Sequence, residues 1–587
     1  MAQQARVPRG ALTAAIAAVI TAIALGGCET PPRARPWRHA EETSPVATPG
    51  KSASRELDEQ ALAIRANRPH TLRIHMDTEP RALEPMIAPS TWTRRITMGP
   101  VFETLLRFAP PDGGAGAGPG HYVPGLARTW RIDGDGLSIY FELEPQVSFH
   151  DGQAMTASDV QFSLDTARDP KREANHLWPL LVDIKQVDKI SPRMVRVQLS
   201  RPNGYILRAL AEVPILPYGV YEQSLAAGGR MVGTGPWQVT SWKNGTVHLT
   251  RFPRYWGKLP AITDVEFVYQ PDAARALLDA KHGDFDLIPE LIPAHWPQQA
   301  SAPGVASAFG VIRLAPPRFR ALVLAGDAPP FDDARVRRAV SMLVDRTGLC
   351  EDYLHNLARP VAGPVWPGGP IDGAAPSMPV RDPIAAGKLL DEAGWTDADG
   401  DRQRERGKDK LKIVMLFGER AQPLPPGKKL DEERQMLVDD LREAGFIVDF
   451  KIVGDQTFAK RIADHQFGAA LIEWDGAVDS DPSRWLETGG GQNLGNVSSP
   501  RIDHLLANLR AVWDPAGRVA LASELALAFA DEQPFVVLAA PEPAGLIARR
   551  VKGAVPWDGW IDLQTLSLDP DDRSAPSKTT DPISSGH

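Results

Sequence analysis

The chain has 587 residues, 43% of them hydrophobic and 24% charged, with a formal net charge of −8. At roughly 150 residues per domain this allows about four domains or two large ones, and the ordinary composition excludes disorder, collagen and coiled coil for the bulk. The acidic balance argues against a protein that coats nucleic acid, which would show a basic excess.

Arg6 and Arg9 precede an apolar run from Ala11 to Leu25, and Leu25-Gly26-Gly27-Cys28 follows. Charged, apolar and small residues in that order form a secretion signal. The run is shorter than the ~20 residues that span a bilayer comfortably. Its ending resembles the bacterial lipobox, which implies removal of residues 1–27 and acylation of Cys28 as a membrane anchor. The plainer reading is an ordinary signal with an incidental cysteine. The other cysteine, Cys350, sits at the end of an expected helix and reads as a buried structural thiol. Residues 28–68 carry Pro31, Pro32, Pro36, Pro45 and Pro49 among polar residues and read as a disordered tether. Gly50-Lys51-Ser52 within it is no phosphate loop, because Pro45 stands where the first glycine belongs. The tail 569–587 is polar and reads as disordered too.

Period-two alternation predicts half-buried strands at Thr71 to Met76, along Leu137, Ile139, Phe141 and Leu143, at Val195 to Leu199 and at Val265 to Val268. Helices are expected between them. Thr156-Ala157-Ser158-Asp159 is a capping box ahead of Val160, Phe162 and Leu164. Asp382-Pro383 starts a helix that Gly394 closes, Gly445 closes one from Glu433 to Ala444, and Gly283 closes a third after Leu277 and Leu278. Strand-like segments follow these three, and helix, glycine, strand is an α/β pattern. A β-rich first half and a helix-rich stretch over 330–530 predict two or more lobes.

Motifs for catalysis are missing. There is no His-Glu-x-x-His, no Gly-x-Ser-x-Gly and no Gly-x-Gly-x-x-Gly. Asp397-Ala398-Asp399-Gly400-Asp401 opens like a calcium loop, but Arg402 stands where glycine is needed and Lys408 where a bidentate carboxylate is needed. A polar turn is the better reading. The expectation is a binding protein on a lipid tether, with no catalytic residues, no metal and no cofactor.

Six segments then occur in a recognisable order: Val101 to Leu106; Tyr122 to Trp130 with Pro124, Leu126, Ala127 and Trp130; Val147 to Val160 with His150-Asp151-Gly152; Gly233-Thr234-Gly235-Pro236-Trp237; Arg254-Tyr255-Trp256; and Phe331 to Val340 with Asp345-Arg346. Together they resemble the extracellular solute-binding proteins of ABC importers, family 5, in the oligopeptide, dipeptide and nickel class. The resemblance runs over 70–565 and identifies Val101 to Leu106 with the family's first-lobe helix. Most of these residues also have plain structural readings: His150-Asp151-Gly152 as a turn, Gly233 to Pro236 as a strand-entry turn, Tyr255-Trp256 as packed core.

The resemblance implies an α/β, two-lobed type II periplasmic-binding fold with an extra small domain. Lobe I would combine 69–104, 232–325 and 536–568, the small domain would be 105–231, and lobe II would be 326–535. It also implies a small solute, foremost a short peptide, bound between lobes by a monomer and delivered to a permease and ATPase complex, with no nucleic acid partner. In peptide-binding relatives an aspartate between a Trp and an acidic-Pro pair meets the ligand's ammonium group. Here the segment is Trp474 to Pro482, one residue longer, with Val478 in the aligned slot and Asp479 and then Asp475 as the neighbouring carboxylates. Trp474 itself, Trp92 with Arg95, and Trp178 are the other expected ligand contacts. A sensing or chaperone lipoprotein with the same clamp, or a metal chelate or oligosaccharide as solute, is the alternative.

Overall fold

The computed structural model describes residues 63–569, apart from 87–89, 113–118, 172–175, 221–230, 364–378, 420–427 and 477. Cys28, the secretion signal and residues 570–587 lie outside the described residues. Residues 63–68, expected to belong to the tether, are structured instead: 63–66 are helical and Arg68 pairs with the buried Asp286 at 2.6 Å. Arg65 and Arg550 converge on the same carboxylate, so a charge buried in the first sheet reaches back into the approach segment.

The chain forms two lobes of mixed α/β structure, each around its own large sheet. In the first sheet the strand order is Phe309–Arg313, Ala544–Ala548, Leu287–Ile288, Thr71–Met76, Asp264–Tyr269, Thr246–Arg251, Trp237–Lys243. Thr71–Met76 runs parallel to Asp264–Tyr269, and Leu72, Ile74 and Met76 are wholly buried, as alternation requires. A four-stranded antiparallel sheet of Ala127–Ile132, Ser138–Leu143, Met194–Leu199 and Ile184–Ser191 shares this lobe's hydrophobic core. The helix Ala157–Ala167 covers it, and both capping-box bonds form: Ser158 N donates to Thr156 Oγ1 at 3.2 Å and Thr156 N to Asp159 Oδ2 at 2.7 Å.

The second large sheet is ordered Ala358–Pro360, Phe535–Pro541, Arg318–Leu324, Ala469–Asp475, Lys412–Gly418, Ile447–Val453. Both of its faces are covered. Phe319, Ala321 and Val323 enter one core and Leu322 and Leu324 the other. The helices Pro383–Glu392 and Glu432–Glu443 pack on the second face, and Gly394 and Gly445 follow them with φ of +85° and +93°. Cys350 is buried in this face, and burial pushes its thiol up to about 12, which suits packing rather than reactivity.

The segment Val101 to Leu106 is not the helix expected of it. The helix lies earlier, at Thr91–Thr97, and a strand starts at Leu106. Gly99 adopts φ +88° ahead of Pro100, which stops helix propagation. The freed backbone groups find partners elsewhere: Gly235 N donates to Val101 O at 2.9 Å, Trp237 N to Pro100 O at 3.0 Å and Ile215 N to Glu103 O at 2.9 Å. Glycine at 233 and 235 is required there, since an added Cβ would stand 1.9 Å and 2.4 Å from those carbonyl oxygens.

Two crossings join the lobes side by side. Phe309–Arg313 runs through Pro316 and Pro317 into Arg318–Leu324, and Phe535–Pro541 returns into Ala544–Ala548. Arg313 fastens one to the other by donating to Glu542 O at 2.8 Å.

Candidate functional site

The short helix Thr91–Thr97 follows the strand Thr71–Met76. Its first turn is capped by Ser90, whose Oγ accepts from Thr93 N at 3.0 Å, and its last turn carries Arg94 and Arg95, where the helix dipole favours cations. Trp92 is buried and donates its indole N–H to Asp77 Oδ1 at 2.7 Å. Its ring stands edge-on to Phe267 and to Trp560, with centroids 6.4 Å and 6.2 Å away. The Arg95 guanidinium lies over both indoles, 4.9 Å from the Trp92 ring and 4.3 Å from Trp560. Glu290 follows the strand Leu287–Ile288 in the same lobe.

These charged groups lie within electrostatic reach of one another. Arg95 is half-buried and Glu290 has solvent-reachable surface. Yet burial pulls Arg95 down to about 10, against the attraction of Glu290 and Asp77, and it raises the Glu290 carboxyl despite Arg95 and Arg318. A side chain that water reaches can still be surrounded by protein. Arg318 and Glu473, which both act on Glu290, belong to the other lobe, so these groups lie where the two lobes face each other.

On that facing lobe the strand register sets the chemistry. Arg318 opposes Asp475 and Arg320 opposes Glu473. Arg318 Nε reaches Asp475 at 2.5 Å and Glu473 at 3.4 Å, and Arg320 reaches Glu473 at 2.9 Å and Glu433 at 3.0 Å. Asp475 is therefore exposed and already paired. The intervening residue, Trp474, points through the sheet into the core, 5.3 Å from the Phe319 ring and 4.8 Å from Phe535. Its expected place against a ligand is corrected by the strand period: with Glu473 and Asp475 outward, Trp474 is inward.

Asp479 is placed unexpectedly too. Its backbone is left-handed, φ +64°, and its carboxylate is fully buried against Arg518, both side chains having 0% exposure. The Tyr122 hydroxyl donates to its other oxygen at 2.6 Å. Arg518 donates further to Val512 O at 3.1 Å and Trp513 O at 3.2 Å and lies 4.1 Å from the Tyr205 ring. Burial works to lower the Arg518 pKa, but Asp479, Tyr205 and Tyr122 outweigh it and the net shift is upward. Val478 N donates to Asp558 Oδ1 at 2.9 Å, and Asp558 also accepts from Arg208. Neither oxygen of Asp479 remains for a ligand ammonium in this arrangement, because the guanidinium of Arg518 already fills that place.

Trp178 opens a one-turn helix and is partly exposed, and its indole N–H has no acceptor among the described residues. Two residues before it, His176 is half-buried near Arg94, and desolvation pulls it down to about 4. The structure thus joins Trp92 with Arg95 at the boundary between lobes and separates them from Trp474 and Asp479. Glu290, Trp560, Tyr122 and Arg518 were not singled out as site residues in the sequence. Glu290 follows a two-residue strand too short to show a period, and the only hint of Trp560 was fifteen tryptophans against eight tyrosines. Remote from all of these, the carboxylates of Asp397, Asp399, Asp401 and Glu405 converge within 4.8 Å. Lys410 Nζ already sits among them, 3.0 Å from Asp401, 3.4 Å from Glu405 and 3.6 Å from Asp399. Among the described residues no helix is long and apolar enough to cross a membrane.

The family model for bacterial extracellular solute-binding proteins, family 5 Middle, matches residues 121–496. Di/tripeptide-binding protein 2 of Pseudomonas aeruginosa is 26% identical over 522 residues, which cover 82% of this chain and 91% of that protein. Among solved structures, HbpA2 of Haemophilus parasuis superposes with a TM-score of 0.72 at 21% identity, covering 85% of this chain and 100% of that one. The binding protein DppA of Helicobacter pylori in complex with the peptide STSA gives 0.66 at 19% identity, covering 86% and 99%. These solved structures speak for the fold.

Proposed function

This chain belongs to the bacterial extracellular solute-binding proteins of family 5, and from that premise we propose that it is the lipid-anchored receptor of an ABC importer for short peptides. The observation that carries the reading is the boundary between lobes, where Arg95 and Glu290 stand without bonded partners among the described residues, within electrostatic reach of the paired Arg318 and Glu473. A small charged solute held there would touch both lobes, and tighter contact in the closed form would favour closure. The similarity to a di/tripeptide-binding protein over most of both chains supports a peptide as that solute. The two crossings at 314–317 and 542–543 would serve as the hinge, with lobe I, the small domain and lobe II divided near 105, 231, 325 and 535. Cys28 would carry the acyl anchor and leave the binding lobes outside the membrane on a tether.

Calorimetry of the purified mature chain against a panel of di- and tripeptides, with mass spectrometry of whatever co-purifies, tests the reading. Micromolar or tighter binding of several peptides is expected. A co-purified solute that is not a peptide, with no heat from any peptide, would refute it.

A further inference from the structure

Two ionic groups at this boundary differ from all their neighbours. Asp77 accepts the Trp92 indole, Arg318 is divided between Asp475 and Glu473, and Glu473 is bonded to Arg320 as well. Among the described residues Arg95 has no hydrogen-bond acceptor and Glu290 has no donor, and the two are not in ion-pair contact with each other. The indole faces of Trp92 and Trp560 attract the Arg95 cation, but they give its five N–H donors no acceptor. Trp560 adds one more, since its Nε1 is buried and unbonded. Water reaches Glu290, which is exposed, and part of Arg95, but the indole N–H of Trp560 is buried, and a partner that displaces water here must replace the hydrogen bonds water makes. Such a partner must bring an acceptor to Arg95 and a donor to Glu290.

We infer that the first lobe holds both ends of a zwitterionic ligand, with Arg95 between Trp92 and Trp560 taking its carboxylate and Glu290 taking its ammonium group. The assignment rests on this boundary being the solute site, as proposed above, and it moves the ammonium partner away from Trp474 to Pro482. The planar fork of arginine matches a carboxylate through two parallel bonds, which lysine cannot reproduce. On the facing lobe Arg318, Arg320, Glu473 and Asp475 are already paired with one another or with Glu433, so these four contribute closure rather than charge recognition. Ligands with one blocked end should be rejected, since blocking leaves Arg95 or Glu290 enclosed without its complement.

The test crosses ligand changes with protein changes. Trialanine, its C-terminal amide, its N-acetyl form and 6-aminohexanoate are titrated into the wild-type chain, Arg95→Gln and Glu290→Gln, with urea midpoints confirming that each variant is folded. In the wild type each blocked end should weaken binding at least about thirtyfold. Arg95→Gln should no longer distinguish trialanine from its amide, and Glu290→Gln should no longer distinguish it from the N-acetyl form. If trialanine binds and both penalties persist in both variants, the inference is overturned and the peptide reading stands. If 6-aminohexanoate binds with the predicted charge pairing and trialanine does not, the inference stands and the peptide reading falls. Binding of none of the four overturns both.

Discussion

Replacing Asp479 by alanine separates a structural aspartate from a ligand-binding one. The carboxylate accepts from Arg518 and from the Tyr122 hydroxyl at 2.6 Å, and the Asp479 and Arg518 side chains have no exposure. Removing one partner of a buried pair leaves an uncompensated charge, which costs about 3–5 kcal/mol. An orphaned buried hydroxyl costs about 1–3 kcal/mol more. The two overlap, because Arg518 keeps its bonds to Val512 O and Trp513 O and its contact with Tyr205. We therefore expect a loss of about 4 kcal/mol in urea unfolding. Asp479→Gly should lose about 1 kcal/mol less, since φ is +64° and glycine alone adopts that conformation freely. The double change Asp479→Ala with Arg518→Met should recover much of the loss by removing both charges. Peptide affinity of the folded variants should fall by no more than the roughly tenfold that loss of the Tyr122 bond alone brings. An Asp479→Ala chain that keeps wild-type stability and loses peptide binding would refute the reasoning and return Asp479 to the ligand.

Three further outcomes follow from the same geometry. Trp474→Ala should cost about 3–5 kcal/mol as a core cavity while leaving the ligand affinity of the folded chain unchanged, checked by denaturation and calorimetry together. Gly204→Ala should destabilise by at least about 2 kcal/mol, because its Cβ would stand 2.1 Å from Val512 O, where Gly204 N already bonds Arg510 O at 2.7 Å. The folded pKa of His176 is depressed from 6.5 to about 4, so the unfolded chain binds more protons between those values. Its contribution is complete above about pH 6.5 and falls away as pH drops towards 4, by up to about 3 kcal/mol. His176→Gln should flatten stability over that window, and NMR titration of the imidazole should show the low pKa directly.

The alternating strands and the glycine-closed helices were legible because each is set by neighbours along the chain. Thr71–Met76 shows its buried face in its own six residues, and Thr156 and Asp159 carry their capping bonds within one turn. The site was less legible because its decisive contacts are long-range. Asp479 could be marked as a candidate carboxylate, but nothing local to it says that Arg518, at the start of Val519–Glu532 and two helices further on, would fill its partner's place. The helix expected at Val101 to Leu106 failed for the same reason. Its apolar residues fit a helix, and the Gly233 to Trp237 loop, more than a hundred residues away, takes its carbonyls instead. Trp474 could have been read correctly from alternation alone, since Glu473 and Asp475 flank it in a strand.

Closure has an energetic scale that the same residues set. Asp479, Arg518 and Val478 belong to the stretch with the second large sheet, whereas Tyr122 and Tyr205 come from the region of the four-stranded sheet and Asp558 from the C-terminal segment. The polar contacts that opening would break include the Tyr122 hydroxyl bond, the Val478–Asp558 bond, the Arg518–Tyr205 contact and the Gly204–Arg510 backbone bond, and Tyr205 and Trp513 pack across the same boundary. The Asp479–Arg518 pair would stay whole. Each broken bond is replaced by water, so the net contribution is about 0.5–1.5 kcal/mol apiece and somewhat more for those to charged groups. A few kcal/mol in total is the range in which a bound solute can decide the population. Tyr122→Phe tests this scale, because it removes one interlobe bond without touching Arg95 or Glu290. Where the open form competes, losing about 1.4 kcal/mol of closure weakens apparent affinity about tenfold. Small-angle scattering of the unliganded variant should show a larger radius of gyration than wild type, and saturating ligand should restore it. A variant with unchanged affinity and unchanged dimensions would place that bond outside the closing motion.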